Sequence, residues 1–485
     1  MYLDAIRQSL RDRADCPAYA YRGAVWTHAE LERAVSNLCR YLLETDLRGR
    51  PVAVCGGKQF WMKAAMLACS FAGAAYVPID ETTPPDRVRA ILRQVEPALV
   101  IGNSPDPGFR TLTPAEAAAF AAREDAPPLG PARLRAEDVC YLIFTSGSSG
   151  APKGVRVSCA NVDTCVRWLE QLVGGDAGVI LNQASFAFDL SVADFYLSLV
   201  TGSEHFILDR QTQGDYAGLF AALRASGATA LVATPSFAEL LLADRSFDRA
   251  LLPCLRTILF CGERLSAATV SRLHARFDGL RVFNCYGPTE CTFAVTAVRI
   301  DPEQAAGELP VGAPKPGVCI RIVDEALHPC PAGETGEILI AGDSVALGYL
   351  GHADPRFLRW EGLPAYRTGD LGLLRDGQLY CLGRKDRQIK YKGYRVELGD
   401  VERNLCRLPG ITRAVVLPQR AADGTVRRLF AFVTAEPSAD LTPRAVQQRL
   451  KTLLPAYMCP AVRIVDCFPL TPNGKCDEKK LMEQI

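Results

Sequence analysis

The sequence predicts an α/β protein: a large N-terminal domain of α/β sheets with a β-rich subdomain, and a small α+β domain at the C-terminal end. Three features predict it. Short apolar runs alternate with stretches of helical periodicity as far as residue 261, the pattern of largely parallel sheets. Between residues 311 and 369 the texture changes to brief runs cut by Pro and Gly, which reads as the β-rich part. Beyond Gly383 the run of charges from Arg384 to Arg387 suits an exposed hinge, and roughly a hundred residues of mixed pattern remain, enough for a small domain. A chain of 485 residues exceeds one compact core, so two to four structural units are expected.

Residues 2–50 carry a helical pattern, with Leu31, Val35, Leu38 and Leu42 on one stripe. A strand is expected at 52–55, a helix at 60–71, a strand at 75–79, a helix at 85–95 and a strand at 98–101. Residues 104–131, rich in Ala and Pro, read as a surface excursion. The apolar run 139–144 reads as a buried strand. Asn161 stands where it can cap a helix whose apolar positions are Val162, Cys165, Val166, Leu169 and Leu172. Strands at 179–181, 206–208, 230–233 and 257–261 then alternate with helices after Asp189 and over 219–224. In the C-terminal domain, helices are expected at 400–408 and 443–454 and strands at 414–417 and 429–433.

Composition narrows the function. A formal net charge of +1 gives no electrostatic case for nucleic acid or a membrane surface as partner. The longest apolar stretch, 64–79, is interrupted by Ser70 and Gly73 and closed by Pro78, too broken to span a bilayer. Residues 1–7 mix acid and base in a helix-like pattern, so no secretory signal is expected. The 18 cysteines include no C-x-x-C pair, and Cys55, Cys69, Cys140 and Cys261 lie in apolar runs. They read as small core hydrophobes in a reducing, cytoplasmic setting, not as a zinc site or disulfide framework. None of the five histidines stands beside a Ser or Cys in a catalytic arrangement, so no hydrolase signature is present.

The clearest chemistry follows the strand 139–144. Thr145, Ser146, Gly147, Ser148, Ser149, Gly150, Ala151, Pro152, Lys153 and Gly154 form a loop of hydroxyls, glycines, one proline and one lysine. Glycines let successive N–H groups converge on an anion, hydroxyls add donors without bulk, and the lysine supplies charge. Gly154 follows Lys153 where a Walker A loop needs Ser or Thr, so the loop reads as an NTP-binding loop of another class. The plain alternative is a flexible Gly/Ser connector. The N-terminus of the helix after the loop would turn its positive dipole end to the anion.

Five motifs in order carry a resemblance: the loop just described, Asn284-Cys285-Tyr286-Gly287-Pro288-Thr289-Glu290, Tyr366-Arg367-Thr368-Gly369-Asp370-Leu371, Gly383-Arg384-Lys385-Asp386 and Pro472-Asn473-Gly474-Lys475. Over nearly its full length the chain resembles the adenylate-forming superfamily, specifically the adenylation enzymes that load amino acids onto carrier proteins. The resemblance implies an AMP-binding core at 1–383 and a mobile C-terminal subdomain at 384–485. It implies ATP and Mg²⁺ as cofactors, with Glu290 on the metal, a role a carboxylate suits. Asn284 to Thr289 would lie against the nucleotide, Tyr286 facing the adenine. Asp370 would accept from the ribose diol, with Arg384 nearby. Lys475 would contact the substrate carboxylate and the α-phosphate, offsetting charge as the carboxylate attacks. Read alone, Gly287-Pro288 is a tight turn, Asp370 a turn or cap residue, and Lys475 a solvated terminus.

Asp189 matches the acidic residue that pairs with a substrate α-ammonium; it is also placed to cap the following helix. Leu190, Ala193, Val232, Leu259, Cys261, Cys285, Phe293 and Ala294 carry over as the rest of the acyl pocket, all small or apolar, so a small or apolar substrate side chain is expected. The segments 188–192, 233–239 and 259–263 go further and resemble ligases that join D-alanine to a carrier protein, with Cys261 against the substrate α-carbon. Ala193 is smaller and Phe293 larger than that resemblance predicts, and Tyr391 to Tyr394 is more similar to peptide-synthetase domains. The expected reaction is therefore activation of a small amino acid, foremost D-alanine, with glycine, L-alanine, serine or proline as the alternatives. An acyl-CoA ligase is opposed by Asp189, and a catalytically silent binding protein by Thr145, Lys153, Glu290, Asp370 and Lys475. No Gly-Gly-x-Ser attachment motif is present, so the acceptor is expected to be a phosphopantetheine-bearing carrier on a separate chain, and the enzyme a monomer. The resemblance also implies a pivot at Asp386, which presents Lys475 for adenylation and then a face around Lys392 and Gly393 for thiol transfer.

Overall fold

The computed structural model describes residues 1–146, 152–174, 178–305, 307–421, 424–436, 441–469 and 476–485. Contacts divide the chain into one unit comprising Met1–Glu81, Leu92–Phe144 and Gly154–Lys385, and another comprising Thr82–Ile91, Thr145–Lys153 and Asp386–Ile485.

The first unit is built on three sheets. Nine strands run in the order Ala313–Pro314, Thr296–Arg299, Arg281–Tyr286, Thr257–Phe260, Ala230–Ala233, Val179–Asn182, Glu204–Ile207, Pro17–Tyr21 and Ala24–Thr27. The pairings from Arg281–Tyr286 through to Pro17–Tyr21 are parallel, as the alternating pattern requires. Six strands run in the order Thr111–Leu112, Leu99–Gly102, Val52–Gly56, Tyr76–Asp80, Val139–Thr145 and Lys153–Ser158. The third sheet is antiparallel: Val318–Val323, Gly336–Gly342, Leu363–Arg375 and Phe357–Trp360, with Gln378–Arg384 also paired on Leu363–Arg375.

The structure departs from the sequence-based expectations in places. Residues 2–50 are not helical throughout: helix Tyr2–Asp12 is followed by the hairpin Pro17–Tyr21 and Ala24–Thr27 before helix His28–Glu44 begins. Arg22 and Gly23, both at positive φ, make its two-residue turn, and Thr27 with Glu30 forms the capping box that starts the helix. The excursion 104–131 holds strand Thr111–Leu112 and helix Pro114–Ala121, whose Ala117 and Ala121 are buried. Helix Cys159–Val173 is capped by Ser158, with Asn161 the third residue of the capping box, because the serine hydroxyl accepts the Asn161 N–H at 3.1 Å. The strand before the charged run continues through Arg384, which stands opposite Asp370.

The second unit centres on Ile411–Arg420, Val426–Ala435 and Ala461–Ile464, packed with helices Leu398–Cys406 and Pro443–Leu450 around Val401, Leu405, Val416, Leu429 and Val446. Its hairpin Gln388–Tyr391 and Tyr394–Glu397 turns at Lys392 and Gly393, both at positive φ. No helix among the described residues is long and apolar enough to cross a membrane.

Candidate active site

The strand Arg281–Tyr286, third from one edge of the nine-stranded sheet, delivers the second motif. Asn284 is buried and its side-chain amide donates to the Pro310 carbonyl at 2.7 Å. At Gly287 the chain passes so close to its own return segment that an added Cβ would lie 2.6 Å from Ala294 Cα and 2.7 Å from the Phe293 carbonyl oxygen. Both are backbone atoms, so only glycine fits. The single 3-10 turn Thr289–Cys291 follows, with Glu290 fully buried. Thr292 and Phe293 are then both left-handed, at φ 58° and 68°. Two consecutive non-glycine residues there store strain, the signature of a functional turn, and the Thr292 hydroxyl holds it by donating to the Ser344 carbonyl at 3.0 Å.

Tyr286 points its hydroxyl at Asp370. It donates to Oδ2 at 2.6 Å, while Arg384 Nη1 donates to Oδ1 at 3.0 Å and to the Thr368 carbonyl at 2.9 Å. Burial, then the Asp370 charge, holds the Tyr286 phenol well above its ordinary pKa, so it remains a donor. Asp370 and Arg384 are cross-strand partners in the antiparallel sheet, which is why they meet. Three of the expected nucleotide ligands thus form one buried cluster. Glu290 accepts from the Tyr349 hydroxyl at 2.5 Å.

The eight expected pocket residues also converge. Leu190, Ala193, Val232, Leu259, Cys261, Cys285, Phe293 and Ala294 all belong to one buried apolar cluster, drawn from parallel strands in register and their ends, the first turn of helix Leu190–Thr201 and, for Phe293 and Ala294, the segment after the 3-10 turn. Val232 stands opposite Leu259, and Leu259 opposite Phe283. Cys165 and Trp168 share this cluster and were read from the sequence only as helix-face residues or not singled out. Burial, then Cys261 and Cys165, holds the Cys285 thiol well above its ordinary pKa, so it acts as a neutral apolar group. Asp189 occupies the N-cap position of helix Leu190–Thr201, yet its side chain makes no capping bond. Behind the larger effect of burial, its charge helps raise the Cys165 and Tyr141 pKa values.

Polar groups that the sequence did not single out brace the same helix from another side. Lys63, fully buried, donates to Ser198 Oγ and meets His205 Nδ1, both at 3.1 Å. His205 Nε2 lies 3.2 Å from Asp194 Oδ1, which also accepts from Asn182 at 3.0 Å. Burial lowers Lys63 to about 7 and raises Asp194.

In the other unit, the Ser146 hydroxyl donates to the Arg395 carbonyl at 3.0 Å, one residue beyond Tyr394 of the Lys392–Gly393 hairpin. Thr145 is buried and Lys153 half-buried. Asp386 Oδ1 accepts from the Gln388 N–H at 3.1 Å. Gly147, Ser148, Ser149, Gly150 and Lys475 lie outside the described residues.

The sequence profile of the family described as AMP-binding enzyme matches residues 6–350, and that of the AMP-binding enzyme C-terminal domain matches residues 400–475. The chain belongs to the AMP-binding enzyme family. Relatives of this AMP-binding enzyme include the D-alanine–D-alanyl carrier protein ligase of Listeria welshimeri, 38% identical over 97% of this chain and 96% of that protein. The protein of the same name from Streptococcus agalactiae is 35% identical over 100% of this chain and 99% of that one. Among solved structures, a Vibrio cholerae adenylation domain in complex with glycyl-adenosine-5'-phosphate superposes with a TM-score of 0.84 at 22% identity, covering 100% of this chain and 97% of that one. An artificially fused adenylation-PCP di-domain from Klebsiella oxytoca gives 0.82 at 22% identity over 96% and 93%. These likenesses establish the adenylating fold.

Proposed function

We propose that this AMP-binding enzyme activates D-alanine with ATP and passes it to a carrier protein. A carboxylate oxygen of the amino acid attacks the α-phosphorus, the bond to the β-phosphate breaks, and pyrophosphate leaves. The phosphopantetheine thiol of a separate carrier then attacks the acyl carbon of the aminoacyl adenylate, forming a thioester and releasing AMP. The observation that carries this reading is the convergence of eight small or apolar side chains in one cluster, next in sequence to Asp189, with the strand that lines it also presenting Tyr286 to Asp370 and leading into the turn that bears Glu290. The relatives' names support the choice of D-alanine, and Cys261 in that cluster agrees with it.

In this reading Asp189 pairs with the α-ammonium, and the apolar cluster favours a small substrate side chain. Asp370, preset by Tyr286 and Arg384, accepts from the ribose, while Asn284 to Thr289 flank the base. Thr145 to Gly150 and Lys153 hold the departing pyrophosphate. Lys475 neutralises charge at the α-phosphate. The division at 1–383 and 384–485 gives the second part its pivot at Asp386, with Lys392 and Gly393 serving thiol transfer.

A metal is part of this account, and its fit rests on Glu290. Among the described residues no group of three or more His, Cys, Asp and Glu side chains could cage an ion. A lone carboxylate does fit Mg²⁺, which keeps waters and takes its remaining ligands from substrate phosphates. Bound there, the ion would neutralise polyphosphate charge.

ATP–pyrophosphate exchange with both enantiomers of alanine and with glycine, L-serine and L-proline tests the reading. D-Alanine is expected to give the largest kcat/KM. A larger value for glycine or an L-amino acid would overturn the substrate, and no exchange with any of them would overturn the activity.

A further inference from the structure

The segment 344–350 does more than connect two strands. Its backbone is stitched on one side to the turn bearing Glu290, through Ala346 N–H on the Glu290 carbonyl at 2.9 Å, and on the other to the strand Lys153–Ser158. There Leu347 donates to Arg156, Arg156 to Gly348, and Leu350 to Gly154, with Tyr349 bridged to Val155. Tyr349 is thereby fixed at both ends: main chain on the strand that leaves the phosphate loop, hydroxyl on Glu290 Oε1 at 2.5 Å.

The hydroxyl has a second partner of defined polarity. Arg356 Nη2 donates to Tyr349 Oη at 2.9 Å. A guanidinium only donates, so the phenol must accept from Arg356 and give its own proton onward. Glu290 is the short acceptor; Tyr366 Oη lies farther, at 3.4 Å. Arg356 itself is clamped by Asp354, Nε to Oδ1 at 3.0 Å and Nη2 to Oδ2 at 2.8 Å. It also lies over the rings of Tyr349 and Tyr366, 5.6 and 5.7 Å from their centroids. Although burial opposes its charge, Asp354 and its other neighbours hold the guanidinium above its ordinary pKa.

We propose that Tyr349 and Arg356 are positioning residues that hold the Glu290 carboxylate in one orientation for the metal–polyphosphate group. The phenol presents its single proton to one carboxylate oxygen, and the guanidinium behind it fixes that phenol without occupying the site. The proposal rests on the reading of Glu290 as the residue toward the metal.

The test is calorimetric binding of ATP to the whole enzyme, with Mg²⁺ and with EDTA, for Tyr349→Phe, Arg356→Ala, Arg356→Lys, Glu290→Gln and the double variant Tyr349→Phe/Glu290→Gln. Tyr349→Phe is near-isosteric and its melting curve checks folding. We expect its Kd for ATP with Mg²⁺ to rise about tenfold, with the Kd in EDTA and the amino-acid KM unchanged. Arg356→Ala should match it, and Arg356→Lys should restore part of the loss. The double variant should be no weaker than Glu290→Gln alone, because the phenol acts only through that carboxylate. If Glu290→Gln leaves Mg²⁺-dependent binding intact, the metal reading of Glu290 falls and the proposal with it. If Glu290→Gln weakens binding but Tyr349→Phe does not, or if the two losses add, the metal reading stands and the positioning role is overturned.

Discussion

Replacing Asp370 by Asn removes one charge from a place where two donors already converge on it. The carboxylate accepts from Tyr286 at 2.6 Å and from Arg384 at 3.0 Å, and the Arg384 and Asp370 side chains are only 13% and 5% exposed. An asparagine keeps its oxygen on Arg384 and turns its NH₂ to Tyr286, whose hydroxyl then accepts and loses Asp370 as its own acceptor, while the Arg384 charge loses its counter-ion. Breaking a buried pair in this way costs about 3–5 kcal/mol, and the lower end applies because Arg384 keeps its bond to the Thr368 carbonyl. For a unit of roughly 370 residues, whose unfolding entropy is ~0.8 kcal/mol/K, 3 kcal/mol lowers the melting temperature by ~4 °C. The ribose loses a charged acceptor worth about 1.5–3 kcal/mol, so the KM for ATP rises ~10- to 150-fold. Pyrophosphate exchange titrated in ATP reads the second effect and differential scanning calorimetry the first; the amino-acid KM at saturating ATP should hold steady. An ATP KM within twofold of wild type would refute the placement of Asp370 on the nucleotide. An unchanged melting temperature would refute the energetics assigned to the pair.

Gly287→Ala forces a Cβ against the backbone of Phe293 and Ala294, and the turn must shift, moving Glu290 with it. Exchange should fall on the order of 100-fold in a variant whose circular dichroism is native, and retention of activity would contradict the close approach. Lys475→Ala should abolish adenylate formation while sparing transfer from preformed aminoacyl adenylate; equal loss of both half-reactions in stopped assays would remove its assigned role. The buried histidine supplies a pH test. Burial, then Lys63 and Lys58, holds His205 well below the ordinary 6.5. With its folded pKa depressed, acid below 6.5 protonates the unfolded chain first, so stability falls as pH falls; Asp194, raised by burial, acts with the opposite sign above 3.8. His205→Gln should therefore flatten the decline in unfolding free energy between about pH 6.5 and 5, by at most ~1.4 kcal/mol per pH unit, and an unaltered slope would refute the assignment.

Much of this was legible in the chain because it rests on local signals. Strand–helix alternation reads directly, and the pocket residues carried over by motif meet in one cluster because adjacent parallel strands, one helix turn and the segment after Glu290 bring them together. What escaped depends on distance in sequence. The hairpin at Pro17–Tyr21 is a short strand pair hidden between two helical patterns, and its hydrogen bonds go to Glu204–Ile207, far along the chain. Lys63 sits in a helix whose other residues are almost all buried, where a charge looks misplaced until His205 and Ser198 are brought beside it. Tyr349 and Arg356 resemble ordinary β-region residues; only the fold sets them behind Glu290. Asn161 yielded its cap to Ser158 because the serine stood three residues nearer the strand, a choice propensity alone does not make.

In the proposed reaction one active site makes an aminoacyl adenylate and hands it to a carrier. This is tested most directly by intact-mass measurement of a phosphopantetheine-bearing carrier protein after incubation with the enzyme, ATP, Mg²⁺ and D-alanine. The expected result is a carrier bearing a single alanyl thioester, AMP released in equal amount, and no product when the carrier lacks its phosphopantetheine. A carrier that stays unmodified while D-alanine supports pyrophosphate exchange, or one loaded equally well without its prosthetic thiol, would contradict it.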